Sequence, residues 1–130
     1  MEEMTPQEVA AARKSSRRHK YSAKKTLVDG ILFPSKRQAK HYEDLKLRLS
    51  SGEISVEAVI AEFGRWMEIP FDLYGKNGGR VGRYTADFVY YDLTKNALVA
   101  DEVKGYKVRD YALRKKLFLD NYPRFTFVES

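Results

Sequence analysis

Apolar positions after Pro34-Ser35 recur at a roughly helical interval, through Ala39, Tyr42, Leu45, Leu47 and Leu49, as one buried helix face requires. Ser35 supplies a cap and Gly52 a stop, so a helix is predicted between them. Further on, runs rich in β-branched and aromatic residues predict strands at 66–74, 80–91 and 97–104. Turns at Gly75-Lys76-Asn77-Gly78-Gly79 and Asp92-Leu93-Thr94-Lys95-Asn96 join them into a meander. Gly105 ends it, a helix over about 108–121 follows with Leu113, Leu117 and Phe118 as its apolar face, and Phe125-Thr126-Phe127-Val128 closes as a strand. Upstream, 25–28 and 31–33 flank Asp29-Gly30, a strong hairpin signal because both turn positions need positive φ. Residues 54–63 are β-branched yet contain Glu57 and Glu62, and periodicity leaves strand and short helix both open. The core order is α, β, β, β, α, β, an α/β fold.

At 130 residues with 43% hydrophobic and 13% aromatic content, the chain suits one domain with a real core. No run approaches the ~18 apolar residues of a membrane span, and the acidic N-terminus lacks a secretory stretch. An intracellular protein without membrane contact is therefore expected. Without cysteine, and with His19 and His41 isolated, any bound metal must sit on carboxylates. The charge balance is 24 basic to 18 acidic residues, net +6, and it is clustered. Arg13, Lys14, Arg17, Arg18, Lys20, Lys24 and Lys25 run without an intervening acid, and Lys104, Lys107, Arg109, Arg114, Lys115 and Lys116 form a second group. Such clusters attract phosphates and release counterions. Thr5-Pro6-Gln7-Glu8 opens a short helix to about 18 whose apolar content is too small to fix it on a core. Residues 1–20 are thus expected to be a basic arm, mobile or docked on a partner such as DNA, and 21–130 a single domain.

Candidate chemistry sits on the second and third strands of the meander. Glu102 and Lys104 stand two apart and share a face; such a pair is either an exposed salt pair or a site for a cation and the water it activates. Asp87 lies in the otherwise apolar, aromatic run Tyr84-Thr85-Ala86-Asp87-Phe88-Val89-Tyr90-Tyr91. A buried carboxylate requires a partner, here Arg83 or Arg80, or a cation shared with Glu102. Pairing through a turn centred on Thr94 sets Asp87 opposite or nearly opposite Glu102. Two carboxylates with waters and a phosphate oxygen are the ligand set Mg²⁺ prefers. Tyr90, Tyr91, Trp66 and Phe88 are expected to pack rather than stack on bases, and Gly75 to Gly79 lacks the signature of a phosphate loop.

Asp87 followed by Glu102-Val103-Lys104 on the adjacent strand, with a helix before and another after, resembles the PD-(D/E)xK nuclease superfamily. Lys20-Tyr21-Ser22-Ala23-Lys24-Lys25-Thr26, Asp29-Gly30, Phe33-Pro34-Ser35, Tyr84-Thr85-Ala86-Asp87-Phe88 and Asp101-Glu102-Val103-Lys104-Gly105 more narrowly resemble a family of small phage and prophage proteins. That family is catalogued as a domain of unknown function and regarded as Holliday-junction-resolvase-like. Ala86 stands where the superfamily's proline would be.

The resemblance implies a restriction-endonuclease-like αβββαβ core with a central mixed sheet, here with the basic arm and small hairpin added. It implies a metal-dependent endodeoxyribonuclease for branched DNA, leaving 5′-phosphate ends, in the cytoplasm of an infected or lysogenic bacterial host. Mg²⁺, for which Mn²⁺ substitutes, would be held by Asp87, Glu102 and the Val103 carbonyl, with Lys104 orienting or deprotonating water. Arg13, Lys14, Arg17, Arg18, Lys20, Lys24, Lys25, Lys107, Arg109, Arg114 and Lys115 would bind DNA. Two paired incisions imply a homodimer. One departure concerns the first core helix, where the family carries a glutamate and this chain has Gln38 in Ser35-Lys36-Arg37-Gln38-Ala39. The expectation is slow or no cutting by the chain as written; the alternative is a non-catalytic, structure-selective DNA-binding or phage-regulatory protein on the same fold.

Overall fold

In the computed structural model, residues 24–103 and 109–130 are described. The expected arm at 1–20 and its helix lie outside them, as do Lys104 and Lys107. Within the described residues the chain divides between Asp44 and Leu45 into two compact units.

The first unit begins with strands β1 (Thr26–Val28) and β2 (Ile31–Phe33), paired antiparallel. Asp29 at φ 52 and Gly30 at φ 75 make the turn, as the Asp-Gly signal requires. Helix α1 (Lys36–Ser50) follows, and the Ser35 hydroxyl accepts the Gln38 amide at 3.1 Å, so the predicted cap is present. Tyr42 on α1 contacts the Phe33 ring, centroids 5.0 Å apart. Its hydroxyl donates to Asp29 Oδ2 at 2.9 Å, fastening the helix to the hairpin turn. Burial first and the Asp29 bond second push the Tyr42 phenol up to about 12, so it remains a donor.

The last turn of α1 belongs to the second unit and stops before Gly52, at φ 80. The stretch left open at 54–63 holds both structures in succession: β3 (Ile54–Ser55) and α2 (Glu57–Phe63). Gly64 at φ 82 ends α2 by donating to the Ile60 carbonyl at 2.8 Å. Strands β4 (Met67–Tyr74), β5 (Arg80–Asp92) and β6 (Ala97–Glu102), helix α3 (Tyr111–Asn121) and strand β7 (Phe125–Glu129) complete the unit. Leaving out β3 and α2, the order from α1 is the predicted αβββαβ. The sheet is mixed: β4, β5 and β6 are antiparallel neighbours, and β7 joins β6 in parallel. Phe88 pairs with both Met67 and Asp101, and Tyr91 with both Ser55 and Leu98. Strands β3 and β4 therefore share one edge of β5 and β6 takes the other. Among the described residues no helix is long and apolar enough to cross a membrane.

An aromatic cluster joins α3 to this sheet. Phe71 lies 5.0, 5.1 and 5.3 Å from Phe118, Tyr122 and Phe125, each at a steep interplanar angle, the edge-to-face arrangement ring quadrupoles favour. Phe118 is fully buried, but Leu113, expected on the same helix face, is 59% exposed. Phe88 and Tyr90 are buried, in keeping with a packing role.

Asp92, at the far end of β5, is 2% exposed. Its Oδ2 accepts Arg48 Nη2 at 2.9 Å, and its Oδ1 accepts the Thr94 hydroxyl at 2.6 Å and the amides of Thr94 and Lys95 at 3.0 and 3.2 Å. Burial opposes its charge, but these bonds outweigh burial and hold the carboxyl below the usual range. Its stabilising contribution is therefore complete above the unfolded value and is lost as pH falls through the folded one. We expect Asp92→Ala to cost about 3–5 kcal/mol at neutral pH, since the substitution strands Arg48 and opens the turn. Urea unfolding across a pH series should show wild type losing more stability than the variant as the solution is acidified; equal losses would contradict the assignment.

Candidate functional site

The β5–β6 ladder runs from Asp92↔Ala97 to Phe88↔Asp101, and its next step sets Asp87 opposite Glu102. There the backbone ladder gives way to side chains. Asp87 Oδ2 accepts the Val103 amide at 2.9 Å, so the aspartate terminates β6 by taking its next donor. Glu102 Oε1 accepts the Tyr84 hydroxyl at 2.7 Å. Both acids are half-buried.

An irregularity in the neighbouring strand accompanies this arrangement. The β4–β5 register includes Met67↔Phe88 and Ile69↔Ala86 but no Glu68–Asp87 pair, and Glu68 has φ 49. Strict alternation would put Tyr84 and Ala86 on the face opposite Val89. All three enter one core cluster, so the strand changes face between Ala86 and Val89, and it does so with the β4–β5 register the same on either side, no residue being inserted.

Two tyrosines share the field of the acids. Burial, then the charge and hydrogen bond of Glu102, then Asp87, raise the Tyr84 phenol far above its ordinary value. Burial, then Glu129, Glu102 and Asp87, raise Tyr111, the first residue of α3. The β5–β6 register brings Asp87 and Glu102 opposite one another, and the charges of both act on both phenols. Glu129 is Glu102's register partner on β7, and Lys115 Nζ reaches Glu129 Oε1 at 2.6 Å.

The other nominated residues fall in both units and outside the described residues. Gln38 belongs to the first unit. Arg80 and Arg83, the alternative partners for Asp87, associate with Asp72. Lys24, Lys25 and Arg109 are exposed. Arg114 pairs with Asp110 at 3.1 Å, and Lys115 lies 4.8 Å over the Phe127 ring as well as on Glu129. Arg13, Lys14, Arg17, Arg18 and Lys20 lie outside the described residues with Lys104 and Lys107. Tyr84, Tyr111 and Glu129 were missed by sequence reasoning. Only Tyr84 left a signal, as a hydroxyl-bearing residue in the same run as Asp87.

The donor chemistry decides what could bind. Among the described residues no group of three or more His, Cys, Asp or Glu is arranged to hold a metal. A hard ion that keeps several waters and takes one or two carboxylates, such as Mg²⁺, fits Asp87 and Glu102, with the Val103 carbonyl adjacent in sequence.

The family described as Protein of unknown function (DUF1064) matches residues 18–128. The chain belongs to the DUF1064 family. No curated protein and no solved structure matches it. The DUF1064 match includes Gln38, Tyr84, Asp87, Glu102 and Lys104 and excludes the chain before residue 18.

Removing the Tyr84 hydroxyl should leave the ring packing intact and cost about 2 kcal/mol, the scale of a hydrogen bond to a charged group. Urea unfolding of Tyr84→Phe, Glu102→Gln and the double variant should give strongly non-additive losses. Additive losses would show that the two side chains act separately.

Proposed function

We propose that this protein is a metal-dependent endodeoxyribonuclease acting on branched DNA. The observation that carries the reading is the meeting of Asp87 and Glu102 at the end of β6, each held by a donor of the chain's own. The net charge of +6 supports a polyanionic partner. The motif resemblance supports phosphodiester hydrolysis and a two-fold homodimer of phage origin.

In this reading Asp87 and Glu102 bind Mg²⁺ or Mn²⁺. The ion supplies activation of water and neutralisation of phosphate charge. The Val103 amide fixes the orientation of Asp87, and Tyr84 fixes Glu102, so the acids need little reorganisation when the substrate arrives. Lys104 follows on the same segment and takes the role of orienting or deprotonating the attacking water. Lys24, Lys25, Arg109 and the arm hold phosphates and read shape more than sequence. Gln38 favours a second reading, a DNA-binding protein without turnover, because a neutral amide stands where the resemblance calls for an acid.

Labelled four-way junctions and linear duplex incubated with Mg²⁺ or Mn²⁺ separate the two readings. We expect Asp87→Asn and Glu102→Gln to abolish divalent-dependent cutting with DNA binding intact or slightly tighter, and Lys104→Ala to impair cutting more than binding. Gln38→Glu should raise the cutting rate. Wild-type cutting by either acid variant removes the metal assignment, and absence of cutting by wild type and Gln38→Glu alike leaves the binding protein.

A further inference from the structure

The loop end of the β4–β5 ribbon, residues 75–83, contains Lys76, Arg80, Arg83, four glycines and no acid. The loop is built: the Gly75 amide donates to Gly79 O at 2.9 Å, Gly78 N to Gly75 O at 3.0 Å, and Gly79 N to Asn77 Oδ1 at 3.1 Å. Its base is anchored as well. Asn121 on α3 accepts the Tyr74 amide at 2.6 Å and donates to the Tyr74 carbonyl at 3.1 Å, while the Tyr122 hydroxyl donates to Asp72 O at 2.7 Å.

On this fixed ribbon one carboxylate oxygen gathers two guanidinium groups. Asp72 Oδ1 accepts Arg80 Nε at 2.9 Å and lies 3.6 Å from Arg83 Nε. Both arginine side chains remain more than half exposed, at 52% and 57%. Arg114 and Arg124, by contrast, each have an acid of their own. Two guanidinium groups thus share one carboxylate, and exposed Lys76 stands in the loop of the same ribbon. Each arginine meets Asp72 through Nε.

Gly82 supplies an independent indication. It pairs with Leu73 in the ribbon, has no positive φ, and a Cβ built on it meets nothing within 4 Å. Neither conformation nor packing requires glycine there, and glycine weakens a strand interior. A bare backbone in a strand otherwise suits close approach by something outside the chain.

We infer that the loop end of the β4–β5 ribbon is a phosphate-backbone contact for duplex DNA, with Arg80 and Arg83 on phosphates and Gly82 admitting the duplex to the ribbon's backbone. Guanidinium forks match phosphate geometry, and a two-stranded ribbon is narrow enough to lie at a major groove. Arg83 and Arg80 precede Asp87 on β5 by four and seven residues, roughly 13 and 23 Å of extended strand. The ribbon therefore grips DNA away from the candidate carboxylates rather than at them. This inference rests on the DNA reading above but not on catalysis.

The test is fluorescence anisotropy of the full chain with a labelled linear duplex and a labelled four-way junction, in EDTA, across a NaCl series. Arg80→Ala/Arg83→Ala should bind both at least tenfold more weakly at moderate salt. The slope of log K against log salt should flatten by about 1.8, roughly 0.9 for each lost phosphate contact. Gly82→Val should weaken binding with the slope unchanged, because it adds bulk and removes no charge. Arg80→Lys/Arg83→Lys should retain the slope, which separates lost charge from lost folding. Wild-type affinity and slope in both the double-alanine and Gly82→Val variants overturn the ribbon contact while leaving the nuclease reading intact. Failure of wild type to bind either DNA overturns both.

Discussion

Strand β5 is hydrogen-bonded along both edges, and every acid on it must find donors inside the fold. That constraint organises the second unit. At the turn end, Asp92 is closed off by Arg48 and the Thr94-Lys95 turn. On the paired strand, buried Asp101 takes the hydroxyls of Tyr90 and Ser130. At the opposite end, Asp87 takes a backbone amide, Glu102 takes a phenol, and both keep partial exposure. A carboxylate out of water costs several kcal/mol unless fully bonded. Asp92 and Asp101 meet that cost with protein donors and become structural. Asp87 and Glu102 retain contact with solvent.

Much of this was legible in the sequence where local chemistry decides. Asp29-Gly30 demanded positive φ at both positions and obtained it. Ser35 capped α1, and the turn around Thr94 brought β5 and β6 into the register that sets Asp87 opposite Glu102. Residues 54–63 could not be settled because a two-residue strand and a seven-residue helix are each too short to display a period. Leu113 belongs to the helical stripe, yet it is exposed where Phe118 on the same helix is buried.

The parts of the site that escaped sequence reading all depend on contacts between distant strands. Tyr84 and Glu102 are eighteen residues apart, and Glu129 becomes Glu102's neighbour only through the parallel pairing of β6 with β7. The partner of Asp87 was sought among charged side chains, Arg80 and Arg83. Asp72 stands on the adjacent strand and takes both arginines, and a donor that does meet Asp87 is a main-chain amide.

The geometry of the candidate site finally depends on Glu68, a residue with no chemical role there. Tyr84 and Asp87 are three apart, and a regular strand sends such residues to opposite faces. Tyr84 nevertheless bonds Glu102, the residue opposite Asp87, and the charges of both acids act on its phenol. The reconciliation is the missing Glu68–Asp87 pair, where Glu68 adopts φ 49. A non-glycine residue in that conformation costs on the order of 1–2 kcal/mol. In return, the strand turns its aromatic half and its acidic position toward the same side. The aromatic core that stabilises the unit thus also supplies the phenol that holds Glu102, and the two functions share one backbone irregularity.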